Sequence, residues 1–163
     1  MNKSYTIPTQ THIGHVHLKV ADLGRSISFY CGLLGFKITT RFGADAAFIS
    51  AGGYHHHIGL NTWFSKGLPQ SKEESVGLFH VAIVYPTRKD LAEIYDRISK
   101  SDYHFTGFAN HGVSEALYLE DPDGNGVELY WDRPKEQWIY DENGTLEMFT
   151  ATLDVGNLLA ELE

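Results

Sequence analysis

Cysteine is almost missing from this sequence: Cys31 stands alone among 163 residues. One thiol cannot close an internal disulfide, so a disulfide-stapled secreted scaffold is excluded and a reducing, cytoplasmic setting is expected. No apolar run approaches the roughly 18 residues that a membrane-crossing helix needs. The opening MNKSYTIPTQTHIG also lacks the apolar stretch of a secretion signal. Basic residues are scarce, 13 Lys and Arg against 21 Asp and Glu, for a formal net charge of -8. That balance repels phosphate backbones and argues against nucleic acid as a partner. What is present suffices for a core: 42% of residues are hydrophobic and 13% aromatic, which excludes a disordered or fibrous chain. The length is that of one domain, read here as 1–163.

Histidine is the abundant exception. The nine fall at 12, 15 and 17, at 55, 56 and 57, and singly at 80, 104 and 111. Imidazole is the commonest transition-metal ligand and titrates nearest neutrality, so clusters of it invite a functional reading.

HIGHVHLKV (12–20) alternates as a strand does, with Val16, Leu18 and Val20 on one face and His15 and His17 on the other. Asp22 is placed to cap a helix running to about Leu34, with Leu23, Ile27, Tyr30, Cys31 and Leu34 as its apolar stripe and Gly35 as its stop. On that stripe Cys31 is an inert core residue. Strand-like runs follow near 36–42, 46–51 and 55–61. The pattern then starts again. LFHVAIVYP (78–86) sets Phe79, Val81 and Ile83 opposite His80 and Ala82; Thr87 and Asp90 form a capping-box pair; Leu91, Ile94, Tyr95 and Ile98 make a helical stripe. Runs near 103–108, 115–120 and 126–131 close the unit, with DPDGNG (121–126) as a strong turn.

The chain thus repeats a βαβββ unit, and His80 follows His15 by 65 residues in an equivalent first strand. Module one spans about 12–63, a connecting loop 64–76, module two about 77–132 and a tail 133–163, whose LDVGNLLAELE end reads as a packing helix or interface element. In GVELYW, Val127, Leu129 and Trp131 take the helix side and leave Glu128 and Tyr130 facing inward; Tyr118 faces inward from the strand before. Two histidines and a carboxylate therefore point inward from three strands. Spacing alone leaves two readings open. One is a metal held by His15, His80 and Glu128, with open positions opposite, as in non-haem Fe(II) oxygenases. The other is a pair of hydrogen-bonded core histidines and an ordinary strand glutamate.

The stretches IGHVHLKVADLGRSISFYCGLLGF, GLFHVAIVYPTRKDL and LYLEDPDGNGVELYW resemble the vicinal-oxygen-chelate superfamily of glyoxalases, bleomycin-resistance proteins and type I extradiol dioxygenases. Within it the sequence is most similar to extradiol, catechol 2,3-dioxygenase-like enzymes. Their signature is matched by Gly107, His111, Leu117-Tyr118, Asp121-Pro122, Gly124 and Glu128, with Ala109 as the one departure. The resemblance implies an α+β fold of two tandem βαβββ modules whose curled mixed sheet encloses a metal site. It implies His15, His80 and Glu128 as ligands of Fe(II), with Mn(II), Ni(II) or Zn(II) as alternatives. Tyr118 is expected to hydrogen-bond a substrate oxygen and His111 to sit beside the dioxygen site. HHIGL fits the family's acid–base position with His56, whereas simple alternation turns His57 and Gly59 inward, so His57 is the rival. His17 and His57 are expected to line the substrate pocket.

By the same resemblance, glyoxalase I-type enzymes carry a fourth, glutamate ligand on this strand, where this sequence offers only the histidines, Gly59 and Ile58. The implied activity is ring cleavage of an aromatic diol with O2, in a homodimer or higher homo-oligomer. The alternatives are a glyoxalase-like metal-dependent isomerase or lyase and a non-catalytic, bleomycin-resistance-like binder. Many extradiol enzymes carry four such modules, and this chain has two.

Overall fold

The computed structural model describes residues 4–70 and 76–163. Residues 71–75 of the expected 64–76 loop lie outside the described residues. The architecture is the α+β repeat read from the sequence. β1 (Val16–Lys19), α1 (Leu23–Ile27), β2 (Lys37–Phe42), β3 (Ala46–Ser50) and β4 (Ile58–Asn61) form the first unit. β5 (His80–Val84), α2 (Arg88–Ser99), β6 (Phe105–Asn110), β7 (Ser114–Glu120) and β8 (Gly126–Asp132) form the second, and α3 (Val155–Leu159) closes the tail.

The two sheets have identical strand orders, β1-β4-β3-β2 and β5-β8-β7-β6, with the outer pairs β1–β4 and β5–β8 parallel and the rest antiparallel. Even their irregularities correspond: the register of each second strand slips once, between Ile38 and Thr40 and between Phe105 and Gly107. Such bulges re-aim side chains at a sheet rim. β1 is shorter than the alternation suggested because its partner begins only at Ile58, opposite Val16, leaving 12–15 unpaired. Phe79, expected on the helix side, is 89% exposed; it precedes β5, which begins at His80.

Asp22 caps α1 by accepting from the Arg25 amide at 2.8 Å. The helix then widens into a π-helical stretch over Ser28–Leu33, and the extra residue per turn carries Phe29 as well as Tyr30 into the core. α2 opens on the Thr87–Asp90 capping box, both halves of which form, and buries Leu91, Ile94 and Ile98. One cluster of buried side chains includes Leu18, Leu60 and Tyr30 from the first unit and Leu91, Leu117, Leu129 and Leu158 from the second unit and tail.

The 121–125 turn does more than reverse the chain. Asp121, 4% exposed, accepts from the Tyr30 hydroxyl at 3.0 Å, and Asp123 pairs with Arg25 and accepts from the Ala21 amide at 3.1 Å. From the other side Arg97 donates to the Leu33 and Gly32 carbonyls, each at 2.7 Å. The two units are therefore tied by charge-assisted bonds as well as apolar packing.

Candidate functional site

β8 lies between β5 and β7, and its Glu128 is in register with Ala82 on one side and Tyr118 on the other. Val127 and Leu129 are buried beneath it, so alternation turns Glu128 to the opposite face. His80, two residues before Ala82, shares that face. Gly126 permits the approach: a Cβ there would stand 2.3 Å from the Phe79 carbonyl and 3.0 Å from His80 Cβ.

The polar atoms form a line. His80 Nε2 is 3.0 Å from Glu128 Oε2, and the Tyr118 hydroxyl donates to Glu128 Oε1 at 2.9 Å. His111 Nε2 lies 2.7 Å from the Tyr118 oxygen, and His111 Nδ1 lies 3.0 Å from the Phe149 carbonyl. Burial, and then the hydrogen bond and charge of Glu128, push the Tyr118 hydroxyl well above its usual pKa, so it stays a neutral donor. Burial raises Asp132 too, with Glu128 as the second cause.

A second group lies on the first sheet. The His15 and His56 rings are 4.4 Å apart, His56 stands 4.9 Å from Phe48, and His17 sits 5.6 Å from both Phe48 and Trp63. Burial and neighbouring imidazoles lower both His56 and His17, His15 being the first neighbour in each case. The triplet divides. His55 Nδ1 faces His56 Nδ1 at 2.7 Å, whereas His57 Nδ1 turns to the Ser50 hydroxyl at 2.9 Å and the Ala51 amide at 3.3 Å. Val16 pairs with Ile58 as Val81 pairs with Val127, so Gly59 occupies the place of Glu128 in the first unit. A Cβ on Gly59 would meet the His17 ring at 2.8 Å; the imidazole covers the position a carboxylate would need.

His80 and Glu128 fit a metal as a pair. His80 Nε2 and Glu128 Oε2, 3.0 Å apart, are close enough to be donors to one ion and close enough to bond each other directly. Among the described residues the buried His80 Nδ1 has no hydrogen-bond partner, where a metal-ligating imidazole ordinarily gives that N–H to one. The third expected ligand is elsewhere. Among the described residues no group of three or more His, Cys, Asp or Glu side chains could hold one ion, so His15 does not join His80 and Glu128 within a single chain. Alternation fixes the face of a residue's own sheet, and among the described residues no hydrogen-bonded ladder joins β1 to β5, the outer strands of separate sheets.

Two features of the site escaped the sequence reading. The Phe149 carbonyl is a backbone group, which no motif can show. Glu115, 3% exposed and bonded to Arg88 and Arg133, belongs to no motif in the sequence.

Comparison with known proteins matches residues 12–129 to the Glyoxalase/Bleomycin resistance protein/Dioxygenase superfamily model. The chain belongs to that superfamily. It is 39% identical over 157 residues to a catechol-2,3-dioxygenase of Bacillus subtilis, covering 96% of this chain and 54% of the relative, so it spans about half that protein's length. It is 31% identical to biphenyl-2,3-diol 1,2-dioxygenase 3 of Rhodococcus globerulus, covering 78% of this chain and 68% of the other. A lactoylglutathione lyase of Salmonella typhimurium matches at 28% identity over 71% of this chain and 88% of its own. Among solved structures, a glyoxalase/dioxygenase from Nostoc punctiforme superposes with a TM-score of 0.63 at 17% identity, over 82% of this chain and 99% of that one, and shares the fold. No helix among the described residues is long and apolar enough to cross a membrane.

Proposed function

We propose that this protein is a cytoplasmic, non-haem Fe(II) extradiol dioxygenase that opens the ring of a catecholic substrate with O2. Its two modules act as one domain over 1–163. The observation that carries the reading is the line His80–Glu128–Tyr118–His111, in which a metal-spaced donor pair is backed by a neutral hydroxyl and an imidazole. The dioxygenase relatives support the reaction class.

His80 and Glu128 hold the ion, and His15 of a second copy completes the set. Among the described residues both outer strands, β1 and β5, have a free edge, and unpaired edges are templates for pairing. Beside them lie exposed apolar side chains, Leu78, Phe79 and Val84 around β5 and Trp63 and Phe64 after β4. A twofold axis that sets the His15–His56 half of one chain against the His80–Glu128 half of the other makes two equal sites, with no half left over.

A divalent ion there supplies chelation of two vicinal oxygens and electron transfer to O2. The chain's residues do the rest. Tyr118 donates a hydrogen bond to a substrate oxygen, His111 Nε2 carries a proton beside it, and His56, next to His15, accepts the proton released when the diol binds and later returns it. His17 lines the substrate side, and His57, tied to Ser50, touches only substituents that reach the rim.

Tyr118→Phe should lower kcat about 100-fold, the usual loss for one aimed donor, with iron content unchanged. Equal loss of iron would instead make Tyr118 part of the metal's support. For the function itself, Fe(II) is added anaerobically to metal-free protein, then catechol and air. A yellow ring-cleaved product with O2 uptake is expected. Stoichiometric iron without O2 uptake from any catechol would overturn the reading. The second reading, a metal-dependent isomerase or lyase, is favoured by length, since the lyase relative is matched over 88% of its own chain. Against it stands Gly59, which offers no fourth carboxylate.

A further inference from the structure

The two units repeat their site as well as their fold, position by position. His15 answers to His80, and Gly59 to Glu128. Phe48, opposite Gly59 in the register, answers to Tyr118, opposite Glu128. The same ladders set His17 against Gly59 where the second unit sets Ala82 against Glu128. Only the first histidine is common to both units. In the first, the carboxylate has given way to hydrogen and the phenol to a plain ring, and an imidazole stands where the second unit has a methyl group.

These exchanges fit one another. Ala82 is too small to cover Glu128, whereas the His17 ring lies over Gly59. The three atoms nearest a Cβ at Gly59 are His17 Cδ2, Cγ and Nε2, at 2.8, 2.9 and 3.0 Å. Three nearly equal distances mean that the ring presents its face to that place and not the lone pair of a nitrogen. The ring is also flanked, its centroid 5.6 Å from Phe48 and 5.6 Å from Trp63, so it cannot swing aside without giving up aromatic contacts.

We infer that His17 keeps the carboxylate place of the first unit closed, and so decides how many positions at the shared ion are left to substrate. A glutamate at 59 would stand to the first unit as Glu128 stands to the second. In the centre proposed above, where the His15–His56 half of one copy meets the His80–Glu128 half of another, two carboxylates would then face one ion. The second would add a donor and take a position that a chelating diol needs. The face of an imidazole over a glycine offers no such donor. His17 is thus a specificity-determining residue that acts by exclusion. This role rests on the shared centre but not on ring cleavage, since it concerns only the donors that the protein supplies.

The test uses Zn(II), which has no redox chemistry. Its affinity is measured by competition with a chelator, and the binding of catechol to zinc-loaded protein by calorimetry. Gly59→Glu alone should bind zinc no more tightly than the native protein, because the ring bars the carboxylate. His17→Ala/Gly59→Glu should bind it at least about 10-fold more tightly than His17→Ala/Gly59→Gln, since even outer-shell partners are worth that much. It should also bind catechol more weakly than that control. Equal zinc affinity in Gly59→Glu and the double variant would overturn the inference, as would a folded double variant that binds zinc no better than its glutamine control. If the position-59 variants do not fold, acetate decides. It should compete with catechol in His17→Ala, where the place is uncovered, and not in the native protein; equal competition in both would overturn the inference. Zinc held with native affinity by Glu128→Ala would overturn the shared centre and the role of His17 with it. The expected zinc results in a protein that cleaves no catechol would leave that role standing and remove the dioxygenase reading instead.

Discussion

Glu128→Ala is expected to leave a folded protein that retains no iron and turns over no catechol. The carboxylate is the hub of the site, facing His80 Nε2 at 3.0 Å with one oxygen and accepting from Tyr118 at 2.9 Å with the other. Its side chain is only 12% exposed, so water does not readily replace it. Removal takes away one of the two donors proposed for the metal in the chain, and its negative charge with it. Because the loss of outer-shell partners alone costs about 10- to 100-fold in metal affinity or activity, the loss of the donor itself should exceed that. The fold should survive, since the flanking Val127 and Leu129 remain buried and β8 keeps both neighbours. Metal analysis and O2 uptake check this, and Glu128→Gln separates charge from shape: it can still accept from Tyr118 but brings no charge. Full iron with full turnover in either variant would remove Glu128 from the metal.

Glu115→Ala should have the largest effect on stability. Glu115 is 3% exposed and accepts from Arg88 Nε at 2.7 Å and Arg133 Nη2 at 2.5 Å. Arg88 also reaches Glu161 at 2.9 Å and thereby ties the tail to β7. Deleting the carboxylate leaves two guanidinium groups facing a buried gap, and breaking such a network from one side costs about 3–5 kcal/mol. Denaturant unfolding measures it. Arg88→Ala in the same background should cost further stability, because the bonds of Arg88 to Glu161 and Asn157 survive the loss of Glu115. An effect below about 1 kcal/mol, the size of an exposed pair, would mean that water replaces the carboxylate.

Much of this was legible in the residues. The 65-residue spacing of His15 and His80, the Asp22 cap, the Thr87–Asp90 capping box and the alternation around Glu128 and Tyr118 are local signals, and local chemistry is what periodicity and capping report. The placement of Phe29 was not, because a π-helical widening breaks the 3.6-residue rule on which the stripe was drawn. The shortened β1 was set by where β4 begins. Above all, alternation says which side of a sheet a histidine takes and nothing of how two sheets meet, so it gives a face to His15 and to His80 but no distance between them. The Phe149 carbonyl and the role of Glu115 belong to tertiary contacts between segments 38 and 27 residues apart, which no short pattern carries.

The shared metal centre is tested most directly by mixing two inactive proteins. His15→Ala and Glu128→Ala are unfolded together, refolded and loaded with Fe(II). Random pairing makes half the dimers mixed, and each mixed dimer has one site with both defects and one with neither, so about a quarter of wild-type turnover should return. If the mixture stays as inactive as its parts while the mixed dimers are shown to form, His15 and Glu128 do not meet across two chains and the proposed centre is wrong.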